Sequence, residues 1–183
     1  MNKKKGMTLA EMLISISIIS IVALVLSLLI ISSYSIVRIQ RSYLNLQQES
    51  TSALKNISNS LNLSSEIVNY PQSTPTYYSN KNTLALKINA IDEANTPLES
   101  TYDYFIYYLE DNQLKLKIDA DPLSTGREDK VKVISTFVDN VIFRYNEVDP
   151  VNANYVSITL IASDTIGNQK KETIFQTSSY LRN

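Results

Sequence analysis

From Met12 to Val37 the chain runs for 26 residues without an Asp, Glu, Lys, Arg, Pro or Gly, and 16 of these residues are Ile, Leu or Val. A helix rises ~1.5 Å per residue, so the run makes a rod of about 39 Å, longer than the ~30 Å hydrocarbon core of a bilayer. Core helices of globular domains rarely stay uncharged over such a length, and the pattern predicts a membrane helix. The run also holds seven Ser. They weaken insertion only modestly, because a serine hydroxyl bonds back to its own helix or across to a neighbouring one.

Past Val37 the pattern changes rather than stops. Ile39, Tyr43, Leu46, Ser50, Leu54, Ile57 and Leu61 recur at spacings of three and four, with Arg41, Gln47, Gln48, Glu49 and Lys55 off the stripe. That is one face of an amphipathic helix. No Pro or Gly falls between Met7 and Tyr70. A single helix is therefore predicted from Met7 to about Leu61, with a membrane half at 7–37 and an amphipathic half within 38–66. Asn69–Asn82 then brings two Pro and many turn formers and reads as a loop.

Beyond it the period falls to two. Strands are predicted at 83–91, 102–109, 113–119, 131–136, 138–146, 155–163 and 171–177. Leu114, Leu116 and Ile118 alternate with Lys115 and Lys117, which predicts a strand with one wet face. Glu110-Asp111-Asn112 and Asp164–Asn168 read as hairpin turns. Short strands joined by short turns make an antiparallel sheet. With the long helix laid on it, the fold class is α+β, and 67–183 forms the β-rich head.

Composition narrows the chemistry. The chain has no His, Cys or Trp, and its three glycines are Gly6, Gly126 and Gly167. Disulfides, Cys/His zinc sites, thiol nucleophiles and imidazole-based triads are excluded, and no Gly-rich phosphate loop can be assembled. Lys and Arg number 17 against 18 Asp and Glu, a formal charge of −1, so no basic field collects nucleic acid and no specific nucleic-acid partner is expected. No catalytic set emerges, and the chain reads as a non-enzyme.

The charge that matters is local. Lys3, Lys4 and Lys5 precede the apolar run, and the positive-inside rule keeps them in the cytoplasm. A single pass then puts the head outside the cytoplasmic membrane. Arg38 and Arg41 flank the far end, where they reach the headgroups along their own stems. A secretory signal peptide has a shorter apolar core followed by a small-residue cleavage site, which this run lacks. Glu11 stands at the mouth of the run, and a carboxylate there costs free energy unless something neutralises it.

The residues Lys3-Lys4-Lys5-Gly6-Met7-Thr8-Leu9-Ala10-Glu11-Met12-Leu13 resemble the class III signal of type IV prepilins and type II secretion pseudopilins. With the helix, the resemblance extends over roughly the first 60 residues. It implies a leader, 1–6, cut between Gly6 and Met7 by a membrane-embedded prepilin peptidase, with the new Met7 amine methylated by the same enzyme. It implies that Glu11 pairs in the filament with the N-terminal ammonium of a neighbouring subunit. A carboxylate in the first helical turn is also favoured by the helix N-terminus alone, so capping stands beside pairing as a role for Glu11. The implied partners are the prepilin peptidase, other pilin or pseudopilin subunits, an inner-membrane assembly platform and membrane lipid. The product is a cell-surface or periplasmic filament. Many major pilins carry Gly or Pro in the membrane half; their absence here tilts the resemblance towards a minor pilin or pseudopilin. A pilus, a competence filament and a secretion system all stay open. The alternative is an unprocessed, single-pass, signal-anchored protein with an extracytoplasmic binding domain.

Two features of the head invite chemistry. Asp119, Asp121, Glu128 and Asp129 cluster around a Pro- and Gly-containing stretch, and some pseudopilins hold Ca²⁺ in an acidic loop. Calcium takes six to eight oxygens, and the spacing does not match an EF-hand loop, so a solvated turn is expected and no cofactor assigned. The run Tyr102–Tyr108 is rich in aromatics that would suit stacking on bases, but such residues are also good strand formers, and a core and sheet-surface role is expected. Loss of the leader lysines takes the charge from −1 to −4, that is −1 minus 3.

Overall fold

The computed structural model describes residues 8–70, 76–166 and 169–181. One helix, α1 (Leu9–Leu63), is followed by eight strands: β1 (Ser64–Ile67), β2 (Thr83–Ile91), β3 (Pro97–Glu110), β4 (Gln113–Asp119), β5 (Lys130–Ser135), β6 (Val138–Tyr145), β7 (Tyr155–Ile166) and β8 (Gln169–Tyr180). The chain divides into two compact units, one up to Ser42 and one from Tyr43 onward.

The first unit is helix. Its apolar side chains, from Leu9 to Val37, are exposed, and they have no partner layer among the described residues of that unit. The hydroxyls of Ser15, Ser17, Ser20 and Ser27 donate to the carbonyls of Glu11, Leu13, Ile16 and Ala23, each four residues back, at 2.8–2.9 Å, and Ser35 donates to Ser32 O at 2.8 Å. These serines are satisfied within the helix, as a segment without water requires.

In the second unit, β1-β2-β3-β4-β5 form a five-stranded sheet and β6-β7-β8 a three-stranded one, and each neighbouring pair is antiparallel. Leu46, Ala53, Leu54, Ile57 and Leu61 of α1 join Leu84, Leu86 and Ile88, Tyr107, Leu114 and Leu116, Phe143, Ile158 and Leu160 in one core. The pilin-like α+β arrangement is thus present: helix residues 43–63 lie on antiparallel sheets. Tyr107, fully buried, bonds through its hydroxyl to Ser60 Oγ and Asn56 Oδ1, both at 2.7 Å. Glu49 Oε2 accepts from the Thr136 N–H at 3.3 Å.

β2 and β4 have the predicted bounds, and the other predicted strands overlap the observed ones. The differences have physical causes. α1 ends at Leu63, and Ser64–Ile67 forms a strand where the sequence predicts the amphipathic half to run to residue 66. Four residues, three of them polar, give no periodicity to read. β3 begins at Pro97 rather than 102, and β7 and β8 extend to Ile166 and from Gln169. Beyond Ala162 the hairpin is held by backbone pairing of Ser163–Ile166 with Gln169–Glu172, which leaves no apolar alternation. On the stripe, Tyr43 is exposed rather than buried, and Ile39 falls in the first unit.

The face of the large sheet away from α1 is drier than predicted. Tyr70, Ala85 and Ile106 are buried there beneath Val68, Tyr77, Tyr104 and Tyr108. Tyr70 and Tyr77 form an antiparallel bridge, and Lys115 and Lys117 are left only partly exposed. The Tyr102–Tyr108 run divides by alternation. Phe105 and Tyr107 pack in the helix-side core, while Tyr104 and Tyr108 meet Tyr70 and Tyr77 with ring centroids 4.4 and 5.1 Å apart.

Candidate functional site: the first turn of the helix

Thr8 precedes the first helical residue and Glu11 is the third residue of α1. The Thr8 N–H donates to Glu11 Oε2 at 2.8 Å, and Thr8 Oγ1 reaches the same oxygen at 3.1 Å. In return the Glu11 N–H donates to Thr8 Oγ1 at 3.3 Å. This is a capping box: the Thr and Glu side chains each satisfy a backbone N–H that the helix start leaves without an intrahelical acceptor. Met12 N–H closes the first turn on Thr8 O at 3.1 Å. Both bonds to the carboxylate use Oε2. The charge sits at the positive end of the helix, and Oε1 takes no part in the box.

Glu11 is therefore built into the start of a helix whose next 26 residues are uncharged. Lys3, Lys4, Lys5, Gly6 and Met7 lie outside the described residues. Residues 1–27 match the family model of the prokaryotic N-terminal methylation motif. The N-terminus is a class III signal of type IV pilins and pseudopilins. The match takes in the lysine cluster, Gly6, Met7 and Glu11 and ends inside the exposed apolar run. It supports a pilin- or pseudopilin-like precursor, and the long apolar helix suits membrane anchoring. No curated protein and no solved structure matches the chain.

The acidic candidates of the head lie in and beside the β4–β5 connection, and each well-placed carboxylate is engaged locally. Asp129 Oδ1 accepts the Ala120 N–H at 2.6 Å, and Asp121 Oδ1 accepts the Leu123 N–H at 2.9 Å. Asp119 lies 3.7 Å from Lys117 Nζ. Burial, together with a hydrogen bond to Asp119, pushes the Tyr70 hydroxyl up to about 12. Glu128 is exposed. Among the described residues no group of three or more Asp, Glu, His or Cys is placed to hold a metal ion.

What organises this loop is a residue that the sequence reading did not single out. Asp103 is fully buried. Its carboxylate accepts from Arg127 Nη1 at 2.7 Å, from Ser124 Oγ at 2.9 Å and from the Asp121 N–H at 2.9 Å. Arg127 Nη1 also donates to Asn89 O at 2.8 Å, and its guanidinium lies 5.3 Å from the Phe105 ring centre. Gly126 N–H donates to Ile91 O at 2.9 Å, and a Cβ there would stand 2.2 Å from Asp92 O. The loop closes on the end of β2 and the middle of β3 through a guanidinium and a glycine. A signal existed: Asp103 shares the alternation of Phe105, Tyr107 and Leu109, which places a carboxylate on a core face.

Proposed function

We propose that this chain is a structural subunit, a minor pilin or pseudopilin, of a type IV pilus-like or type II secretion-like filament. Prepilin peptidase cuts it after Gly6, Met7 becomes the methylated N-terminus, and the subunit assembles through its N-terminal helix. The basic leader stays in the cytoplasm and the head faces out. Its partners are the peptidase, neighbouring subunits, and an assembly platform in the membrane. Carrying this reading is the class III signal match at residues 1–27, which runs without a break into an exposed apolar helix. Mass spectrometry of the chain from wild-type cells tests processing. A product beginning at Met7 with one added methyl is expected; an intact Lys3-Lys4-Lys5 leader sinks the reading.

Glu11 neutralises the ammonium of a neighbouring Met7 in this scheme. A carboxylate in an apolar phase is costly alone and far less so when paired, and Oε1 is the oxygen left over by the box. The capping box needs no neighbour, so it also favours the second reading, an unprocessed anchor. Glu11→Gln separates the two roles. Glutamine still serves in a capping box but cannot carry the countercharge. Normal insertion with lost assembly is expected, whereas filaments at the parent level would leave Glu11 a cap and nothing more.

A further inference from the structure

Arg38 and Arg41 are the first charges beyond the uncharged run, and both are exposed on α1. Arg38 lies four residues after Tyr34 and Arg41 three after that, so all three share one helix face. Tyr34, Ser35, Val37, Arg38 and Arg41 line one shallow concavity of that face. Neither guanidinium forms an ion pair among the described residues. The helix itself offers no countercharge: no Asp or Glu stands three or four residues from either, and Glu49 is the first acid after them.

Their depth follows from helix geometry. Counted from Glu11 at ~1.5 Å per residue, Tyr34 is about 34 Å along the axis, Arg38 about 40 Å and Arg41 about 45 Å. A bilayer is ~30 Å thick in hydrocarbon and ~40–45 Å with its headgroups. With Glu11 at one membrane surface, Tyr34 falls where aromatic belts lie and the two guanidiniums fall among the phosphates of the opposite leaflet. Cations on that side also work against the positive-inside bias of Lys3, Lys4 and Lys5, so their presence calls for a compensating partner.

We propose that Arg38 and Arg41 form a binding site for the headgroup of an anionic phospholipid in the outer leaflet, with Tyr34 packed against the glycerol and upper acyl region. Two forked guanidiniums one turn apart match a phosphate through charge-assisted, bidentate bonds. An anionic lipid is preferred because a zwitterionic headgroup brings its own cation to the same phosphate. The site holds the subunit at a fixed depth before assembly. It rests on α1 being a membrane anchor and is independent of cleavage and filament formation.

The test uses the full chain in non-ionic detergent, with phosphatidylglycerol and phosphatidylcholine added in equal amounts and bound lipid read by native mass spectrometry. Lys3→Gln, Lys4→Gln and Lys5→Gln are carried in every sample, which removes lipid capture by the leader. At ~1 kcal/mol per cation near an anionic surface and 1.4 kcal/mol per tenfold, Arg38→Gln with Arg41→Gln lowers phosphatidylglycerol retention about thirtyfold and leaves phosphatidylcholine unchanged. Arg38→Lys with Arg41→Lys keeps the charge but not the fork and falls between. Equal retention of both lipids by the parent, or undiminished phosphatidylglycerol in the double Gln variant, overturns the site. So does a double Gln variant that keeps its lipid and loses only crosslinks to a neighbouring subunit's carboxylates. Recovery of every variant in the membrane fraction reports anchoring separately; a chain found in the soluble fraction refutes the anchor rather than the lipid preference.

Discussion

Arg127→Met is expected to weaken the head more than Asp103→Ala, although the two residues form one ion pair. The asymmetry lies in what each change leaves behind. Asp103 has no exposed surface, whereas the Arg127 side chain is 17% exposed. In Arg127→Met the carboxylate keeps Ser124 Oγ and the Asp121 N–H as donors but loses its countercharge where water cannot replace it. An uncompensated buried charge costs about 3–5 kcal/mol. In Asp103→Ala the guanidinium turns to solvent through its exposed edge and keeps Asn89 O. Ser124 Oγ keeps Ile91 O and water replaces the carboxylate at the part-buried Asp121 N–H. The net loss is then that of one hydrogen bond to a charged group, about 1.5–3 kcal/mol. Joint replacement, Asp103→Leu with Arg127→Met, costs less than Arg127→Met alone, because no charge is stranded. Urea unfolding of the full chain in detergent, followed by tyrosine fluorescence, measures all three. With a slope of ~2 kcal/mol per M, Arg127→Met lowers the midpoint by about 1.5–2.5 M. EDTA leaves the parent midpoint in place, since Arg127 supplies the cation that closes the loop. Asp103→Ala at least as damaging as Arg127→Met, additive costs in the double variant, or a midpoint that falls on chelation would refute the reasoning.

Ser50 is fully buried on the α1 stripe and its hydroxyl makes no hydrogen bond among the described residues. Ser50→Ala removes that stranded group and raises helix propensity, so a gain of about 1 kcal/mol is expected in the same urea assay; a loss would show that the hydroxyl is satisfied. Asp139 is paired with Lys170 at 2.6 Å, and hydrogen bonds from Lys170 and Ser163 hold its carboxyl below the usual range. A depressed carboxyl stabilises the fold above its unfolded pKa of ~3.9 and loses that contribution as the pH falls through its lower folded value. Lys170 is half exposed, so the effect is only a few tenths of a kcal/mol. Amide exchange in the β7–β8 hairpin at pH 6 and pH 3 should show it, and Asp139→Asn should remove the difference; an Asp139→Asn chain with the parent's pH dependence places the titration elsewhere.

Elements legible in the sequence are those whose signal repeats along the chain. The lipid-length run and the stripe from Leu46 to Leu61 mark α1, because a helix buries what recurs at three and four. β4 could be bounded to the residue because Leu114, Leu116 and Ile118 point to one core and the lysines between them do not. β1 and the outer end of the β7–β8 hairpin are held by backbone pairing and by single ion pairs, Glu66 with Lys87 and Lys170 with Asp139, and such isolated contacts leave no repeating pattern in the sequence. Asp103 was hidden for another reason. Its partners Arg127, Ser124 and Asp121 lie 18 to 24 residues away, and no local pattern links a lone carboxylate on a core face to donors that far along the chain.

The first unit makes a sharper physical demand than the head. Its 16 Ile, Leu and Val between Met12 and Val37 favour insertion by about 5–10 kcal/mol before the serines are subtracted, and nothing described within the unit covers them. Five of its serines are satisfied by their own helix, so the surface suits lipid tails and the side of a neighbouring helix equally well. Such a surface has little to distinguish one partner from another. Discrimination falls to the charges of Leu9–Ser42, which are Glu11, Arg38 and Arg41. Glu11 stands at one mouth of the apolar run with one oxygen committed to the capping box, and the two guanidiniums stand at the other without an ion-pair partner among the described residues. A charge at the edge of an apolar phase is stable only when something outside the helix meets it. In the proposed scheme a neighbour's ammonium for Glu11 and an anionic headgroup for the arginines would set the depth and register of the helix, while the apolar run would supply the energy of anchoring.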